Sequence, residues 1–308
     1  MVWPRALARQ IAAIAPDVVH THSGVWYKAS LAARRAGVPR LIHTDHGRQH
    51  PDPWRDRFLD RLASRRTDVV VAVSDTLARQ LRDTVVADPA RVRLILNGVD
   101  THRFQPRDDA DDLRRELGFE PGVPILGSIG RFDGIKGYDV MIRALGQLRP
   151  AWTDGQAPVL LLAGEGPEEQ ALRRLVDELG LQGAVRFLGW RQDPERLLPV
   201  FTLFTLASRS EGTSISLLEA MSAGVCPIVT DVGGNGAVLG EELRHCLVAS
   251  ESPSALARAW REALGDPRRL QDARLGRSRV VERFSLEAMV RAYEALYLEP
   301  PTASAASI

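Results

Sequence analysis

Residues 208–224 read S-R-S-E-G-T-S-I-S-L-L-E-A-M-S-A-G. They follow an apolar run, 203–207, whose length and composition predict a buried strand. A polar turn and an amphipathic segment closed by Gly224 come next, so the local order is strand, loop, helix. Glu211 and Glu219 stand eight positions apart. Over a helix that interval covers roughly 12 Å, and part of it here lies in the turn. A strand feeding a helix N-terminus is a natural seat for an anion, because free backbone N–H groups and the helix dipole both point at it. Carboxylates on either side suit a ligand with hydroxyls at both ends and negative charge in the middle, which is the shape of a sugar nucleotide. The other reading makes both glutamates solvated helix residues, and this stretch alone does not separate the two.

Working outward, a strand over 123–129 leads into G-R-F-D-G-I-K-G at 130–137. Arg131 and Lys136 lie between glycines that allow close backbone approach, and together they offer two fixed positive charges. A diphosphate leaving group needs that neutralisation when its bond to sugar breaks; a pair of surface cations on a βα loop is the plainer alternative. A strand over 159–163 ends in G-E-G-P at 164–167, and one over 226–230 ends in D-V-G-G-N-G at 231–236. Pro167 suits the first turn of the helix that follows and Gly180 its stop. None of these loops is a Walker A or a G-x-G-x-x-G fingerprint, so ATP hydrolysis and hydride transfer find no support. No Cys/His set has zinc spacing, and no carboxylate cluster suggests a metal cage.

At 308 residues the chain holds two domains of ordinary size, and its apolar and charged fractions are those of a soluble globular protein. The net charge of +1 is unevenly spread: residues 1–100 carry 16 Lys or Arg against 10 Asp or Glu, leaving 24 against 29 in the rest. A basic N-terminal part fits an anionic membrane surface or acceptor, and equally a merely arginine-rich composition. Cys226 and Cys246 sit in apolar surroundings, as core residues of a protein from a reducing cytoplasm rather than ligands or disulfide partners. No apolar run is long enough to span a bilayer and no signal peptide follows Met1, which places the chain in the cytosol or at a membrane surface.

Residues 1–100 alternate strands near 18–22, 40–44, 68–73 and 92–96 with helical segments, one of them capped by Ser74. Such alternation implies βαβ units and parallel strands, whose carboxyl ends collect ligands. His20, His22, His46 and Asn97 fall at such ends. His20 and His22 serve structure as readily as chemistry; His46 is the stronger candidate, beside Gly47 and the cationic Arg48. Residues 101–122 read as a polar linker. A final amphipathic helix follows Ser285 and reaches Tyr297, before a frayed tail at 300–308.

Taken together, Asn97-Gly98-Val99-Asp100, Gly130-Arg131 with Lys136-Gly137, Gly164-Glu165-Gly166-Pro167, Glu211 with Gly212 and Glu219, and Asp231-Val232-Gly233-Gly234-Asn235 resemble the motifs of family-4 glycosyltransferases, in order along nearly the whole chain. The resemblance implies a GT-B fold, two Rossmann-like doubly wound parallel-sheet domains facing across a cleft. The domains would be 1–106 on the acceptor side, 107–281 for the nucleotide sugar, and 282–308 for a helix crossing back. It also implies retaining transfer of a sugar from a UDP- or GDP-sugar to a polysaccharide or lipid-linked acceptor in cell-surface glycan biosynthesis. Arg131 and Lys136 would hold the diphosphate, Glu211 the sugar hydroxyls, Glu219 the ribose, and His46 would meet the donor sugar. Gly130, Gly164, Gly166, Gly212, Thr213, Ser214 and Leu218 would complete donor binding, with the loop after Leu188 beside the base. The leaving phosphate, rather than a glycosidase-like carboxylate pair, would assist the acceptor. No metal or other cofactor is expected. Family members open with a strand, a glycine-rich turn and a helix ahead of the point where this sequence begins, so the N-terminal domain is expected to be incomplete. Ala237 stands where an acidic residue is common, and His245-Cys246 where glycine is usual. A truncated sugar-nucleotide-binding protein without catalysis, or a sugar-nucleotide epimerase, are the alternatives.

Overall fold

The computed structural model describes residues 4–47 and 53–299. Arg48 and the tail at 300–308, both named above, lie outside them. Contacts divide the chain into two compact units, one holding residues through Asn97 and again from Ala288, the other Gly98–Glu287. The contact boundary falls at Asn97, and the residues that follow hydrogen-bond within the second unit. Val99 N–H donates to Phe284 O at 2.9 Å, Leu286 N–H donates to Val99 O, and Ser222 Oγ donates to Phe104 O.

In the first unit, strands β1 (Val18–His22), β2 (Arg40–Asp45), β3 (Val69–Ala72) and β4 (Val92–Leu94) form a parallel sheet in that order. All six residues of β2 and all four of β3 are buried. Their runs are continuous rather than alternating because a parallel sheet is covered on both faces. Ser74 Oγ accepts from Leu77 N–H and caps the helix Asp75–Gln80. The last helix, Leu286–Leu298, presents Met289, Ala292, Tyr293 and Leu296 at helical spacing to Ile42, Val69, Val71 and Ile95.

The second unit contains β5 (Ile125–Ile129), β6 (Val159–Ala163), β7 (Val185–Phe187), β8 (Leu203–Leu206), β9 (Pro227–Thr230) and β10 (Leu247–Val248). They pair in parallel in the order β10-β9-β8-β5-β6-β7. This is a doubly wound sheet whose strand order reverses between β5 and β8, and ligands settle outside the carboxyl ends of the strands at such a reversal. The α/β reading with parallel sheets is therefore borne out. The expected linker is not one: Ala110–Glu116 form a helix, anchored by buried Leu113 and by Arg114, whose Nε and Nη2 donate to Val200 O. Pro167 precedes the helix Glu169–Glu178 rather than joining its first turn.

Candidate functional site

At the reversal, the loop after β5 and the loop after β8 border one cavity of about 690 Å³. Gly130, Arg131, Lys136, Gly164, Glu211, Thr213, Ser214 and Glu219, all named from sequence, line it. The helix Ile215–Ser222 starts at this wall, and Ser214, at its N-cap position, makes no side-chain capping bond. The free N–H groups of the first turn thus remain available to an anion.

Lys136 Nζ lies 2.7 Å from Glu211 Oε1, and Ser208 Oγ donates to the same oxygen at 2.7 Å. The Glu211 side chain is 8% exposed and that of Lys136 23%. A carboxylate this enclosed needs a positive partner and hydrogen-bond donors, and both are present. The sequence places these residues on separate loops; the fold makes them a pair. Arg131, exposed at the rim, has no ion-pair partner among the described residues. Arg209 holds the two loops in register. Its backbone N–H donates to Ile135 O, and its guanidinium bonds Gly134 O, the Asp139 carboxylate and Glu251. Those carboxylates push its pKa further up.

The glycines divide by role. Gly164 has φ +140°, and a Cβ there would stand 2.0 Å from Gly130 O, so the ends of β5 and β6 approach backbone to backbone. Gly233, at φ +55°, admits Glu211 O in the same way and thereby sets the loop that carries Glu211. Gly166 packs against Phe132 O and Gly212 O accepts from Gly234 N–H; neither lines the cavity. Leu218, expected among the binding residues, is fully buried in the core and does not line it either.

Burial raises the carboxyl pKa of Glu219 to about 7; Arg103 opposes the shift and Glu195 adds to it. Arg103 also lines the cavity and pairs with Glu195 at 2.9 Å. Sequence reasoning missed it, since nothing in residues 101–122 marked one arginine above the others. Trp190, 72% exposed, stands on the same wall, its backbone N–H donating to Glu165 Oε1 at 3.3 Å. Beside it Arg191 pairs with Asp193 at 2.6 Å, yet its buried Nε–H has no partner among the described residues.

His46 belongs to the other unit. Its Nε2 lies 2.9 Å from His22 Nδ1, and the two rings stack with centroids 5.2 Å apart. His20 sits between Thr44 Oγ1 and Tyr297 Oη, each at 2.8 Å. Burial, with the neighbouring His22 and His46, lowers its pKa to about 4, and burial lowers that of His22 as well. His43 is elsewhere: it stacks on Trp26 at 4.0 Å and meets Thr21 Oγ1.

No helix among the described residues is long and apolar enough to cross a membrane. The solved structure of Anabaena Alr3699/HepE in complex with UDP matches with a TM-score of 0.85 at 20% identity, covering 95% of this chain and 81% of that one. The fold is therefore shared with GT-B proteins of this kind. Among curated relatives, a D-inositol 3-phosphate glycosyltransferase of Nocardia farcinica is 32% identical over 83% of this chain and 60% of its own length. The lipopolysaccharide core biosynthesis mannosyltransferase LpsB of Rhizobium meliloti is 30% identical over 84% of this chain and 72% of its own length. The model for glycosyl transferases group 1 matches residues 109–277, and that for glycosyltransferase family 4 matches residues 1–103. With the strand reversal, the paired Lys136 and Glu211 and these matches together, the chain belongs to the glycosyl transferases of group 1, in family 4.

Proposed function

We propose that the protein is a retaining glycosyltransferase that takes a sugar from a nucleoside diphosphate sugar, UDP- or GDP-linked, and passes it to a polysaccharide or lipid-linked acceptor of the cell surface. One observation carries the reading: a half-buried Lys136–Glu211 pair lining a 690 Å³ cavity at the strand reversal, with Arg131 beside it. Without donor the two charges satisfy each other. With donor, the diphosphate takes the Lys136 ammonium and the Arg131 guanidinium, while sugar hydroxyls donate to the released Glu211 carboxylate. The exchange keeps Glu211 compensated throughout, so neither charge is left buried alone. As the sugar–phosphate bond breaks, charge grows on the leaving diphosphate. Two cations and the N–H groups at the start of Ile215–Ser222 receive it, and no metal is assigned a part. Glu219 accepts from the ribose hydroxyls and Trp190 offers its ring to the base. The donor class agrees with the UDP and UDP-glucose complexes of Anabaena Alr3699/HepE. The acceptor class agrees with a relative that acts in lipopolysaccharide core biosynthesis.

The test is transfer from UDP-glucose and GDP-mannose to inositol phosphate and lipid-linked acceptors, with the product anomer read by NMR. Retention of configuration is expected. An inverted product, or a sugar epimerised without acceptor, overturns the assignment. His46→Ala should lower transfer without lowering donor affinity.

A further inference from the structure

Away from the donor loops, at the amino ends of two neighbouring strands, three metal-ligating side chains meet. Cys226 immediately precedes β9, and Cys246 closes the short turn Arg244–Cys246 that immediately precedes β10. Because β9 and β10 pair in parallel, the two thiols come to the same end of the sheet. Asp272, on the helix Arg269–Arg283, completes the group. One ligand atom from each of the three lies within 4.8 Å of the other two. His245 Nε2 stands 2.8 Å from Asp272 Oδ2.

We propose that Cys226, Cys246, Asp272 and His245 form a structural site for a thiophilic divalent cation, zinc foremost. Tetrahedral zinc takes Cys sulfur at about 2.3 Å and His or carboxylate atoms at about 2.0–2.2 Å, which puts ligand atoms roughly 3.3–3.8 Å from one another. The three clustered atoms need contract by no more than about 1 Å, while His245, held outside that trio by its bond to Asp272, must swing inward to supply the fourth ligand. The donor set mixes two soft sulfurs with nitrogen and oxygen, which selects zinc or cobalt over magnesium or calcium. Both cysteines are almost wholly buried, while His245 is 55% exposed, so the ion enters past the histidine and loses its water against the thiols. Each thiol gives up its proton on binding. Arg269, on the cavity wall that includes Cys226, offsets the net negative charge. The ion would tie β9, the turn before β10 and the last long helix of this unit together. The spacing of the cysteines along the chain does not reveal this, because the fourth element comes from a helix 26 residues beyond Cys246.

The experiment titrates cobalt(II) chloride into the full chain under a non-thiol reductant and reads thiolate-to-cobalt charge-transfer absorption. Expected are saturation at one equivalent, displacement by zinc, and a higher Tm with zinc. Cys226→Ser with Cys246→Ser should abolish the absorption, and His245→Ala should weaken zinc binding by at least about tenfold. Glu211→Ala, in the donor cavity, should leave the signal intact. A folded wild-type chain that gives no charge-transfer band overturns the proposal. So does a band that survives the double serine variant.

Discussion

In the six-stranded sheet the loops leaving β5 and β8 carry Lys136 and Glu211, an ion pair on the wall of a large cavity. In the four-stranded sheet the ends of β1 and β2 carry His20, His22 and His46, which bond and stack with one another and with Thr44 and Tyr297. Both clusters arise from the same βα grammar, yet they treat charge oppositely. The first keeps full charges half-buried by pairing them, so a charged ligand can exchange for one partner. The second disfavours charge on His20 and His22, since burial penalises the imidazolium and the neighbouring rings repel the proton. The charged pair therefore lines the cavity of the second unit, while the strand ends of the first carry a polar imidazole cluster.

The largest effect should come from breaking the pair. Lys136→Ala and Glu211→Ala should each lower transfer by at least about 10²-fold, the scale of losing one preorganised charge partner. Circular dichroism of both variants checks that the fold survives; full transfer by either would end the donor-site reading.

The next effect turns on Glu219, whose pKa of about 7 reflects burial. An acid with a raised folded pKa gives stability that is present below its unfolded value of 4.5 and lost as pH rises through 7. If the ionised carboxylate accepts the ribose hydroxyls, affinity for UDP-glucose should climb about tenfold between pH 6 and 8. Glu219→Gln should flatten that profile in calorimetry and raise the Tm at pH 8 but not at pH 4. A wild-type profile already flat would remove Glu219 from ribose binding.

A smaller effect belongs to the histidine cluster. His20, held down at about 4, keeps the folded state unprotonated while the unfolded chain takes up its proton at 6.5. Stability is thus present above 6.5 and lost as pH falls toward 4. His20→Gln should make the Tm fall less steeply over that window, and an unchanged slope would show that other groups govern acid sensitivity. Smallest of all, Glu195→Gln removes a half-buried charge that raises Glu219, and frees Arg103. The midpoint of the affinity profile should move slightly to lower pH, with stability changed by less than about 1 kcal/mol.

Much of the fold was legible because it is local. The strand over 159–163 and the helix after Ser285 stand where apolar patterning put them, since a helix face or a covered strand writes its environment into consecutive residues. The helix Ala110–Glu116 was not legible: its short, charge-rich sequence says linker, and only Arg114 reaching the Val200 carbonyl shows otherwise. Arg103 went unremarked for the same reason. Leu218 enters only through the family resemblance, yet its side chain turns into the core.

By itself the sequence determined the alternation of strands and helices, the family, and which loops bear the charges. Short-range patterning and loop chemistry suffice for that. Only the tertiary structure decided that Lys136 neutralises Glu211, that Gly166 and Gly212 support backbone packing rather than line the cavity, and that Cys226, Cys246 and Asp272 converge. Each of those relations joins residues far apart in the chain, and it is the crossover connections of a parallel sheet that bring such residues within reach.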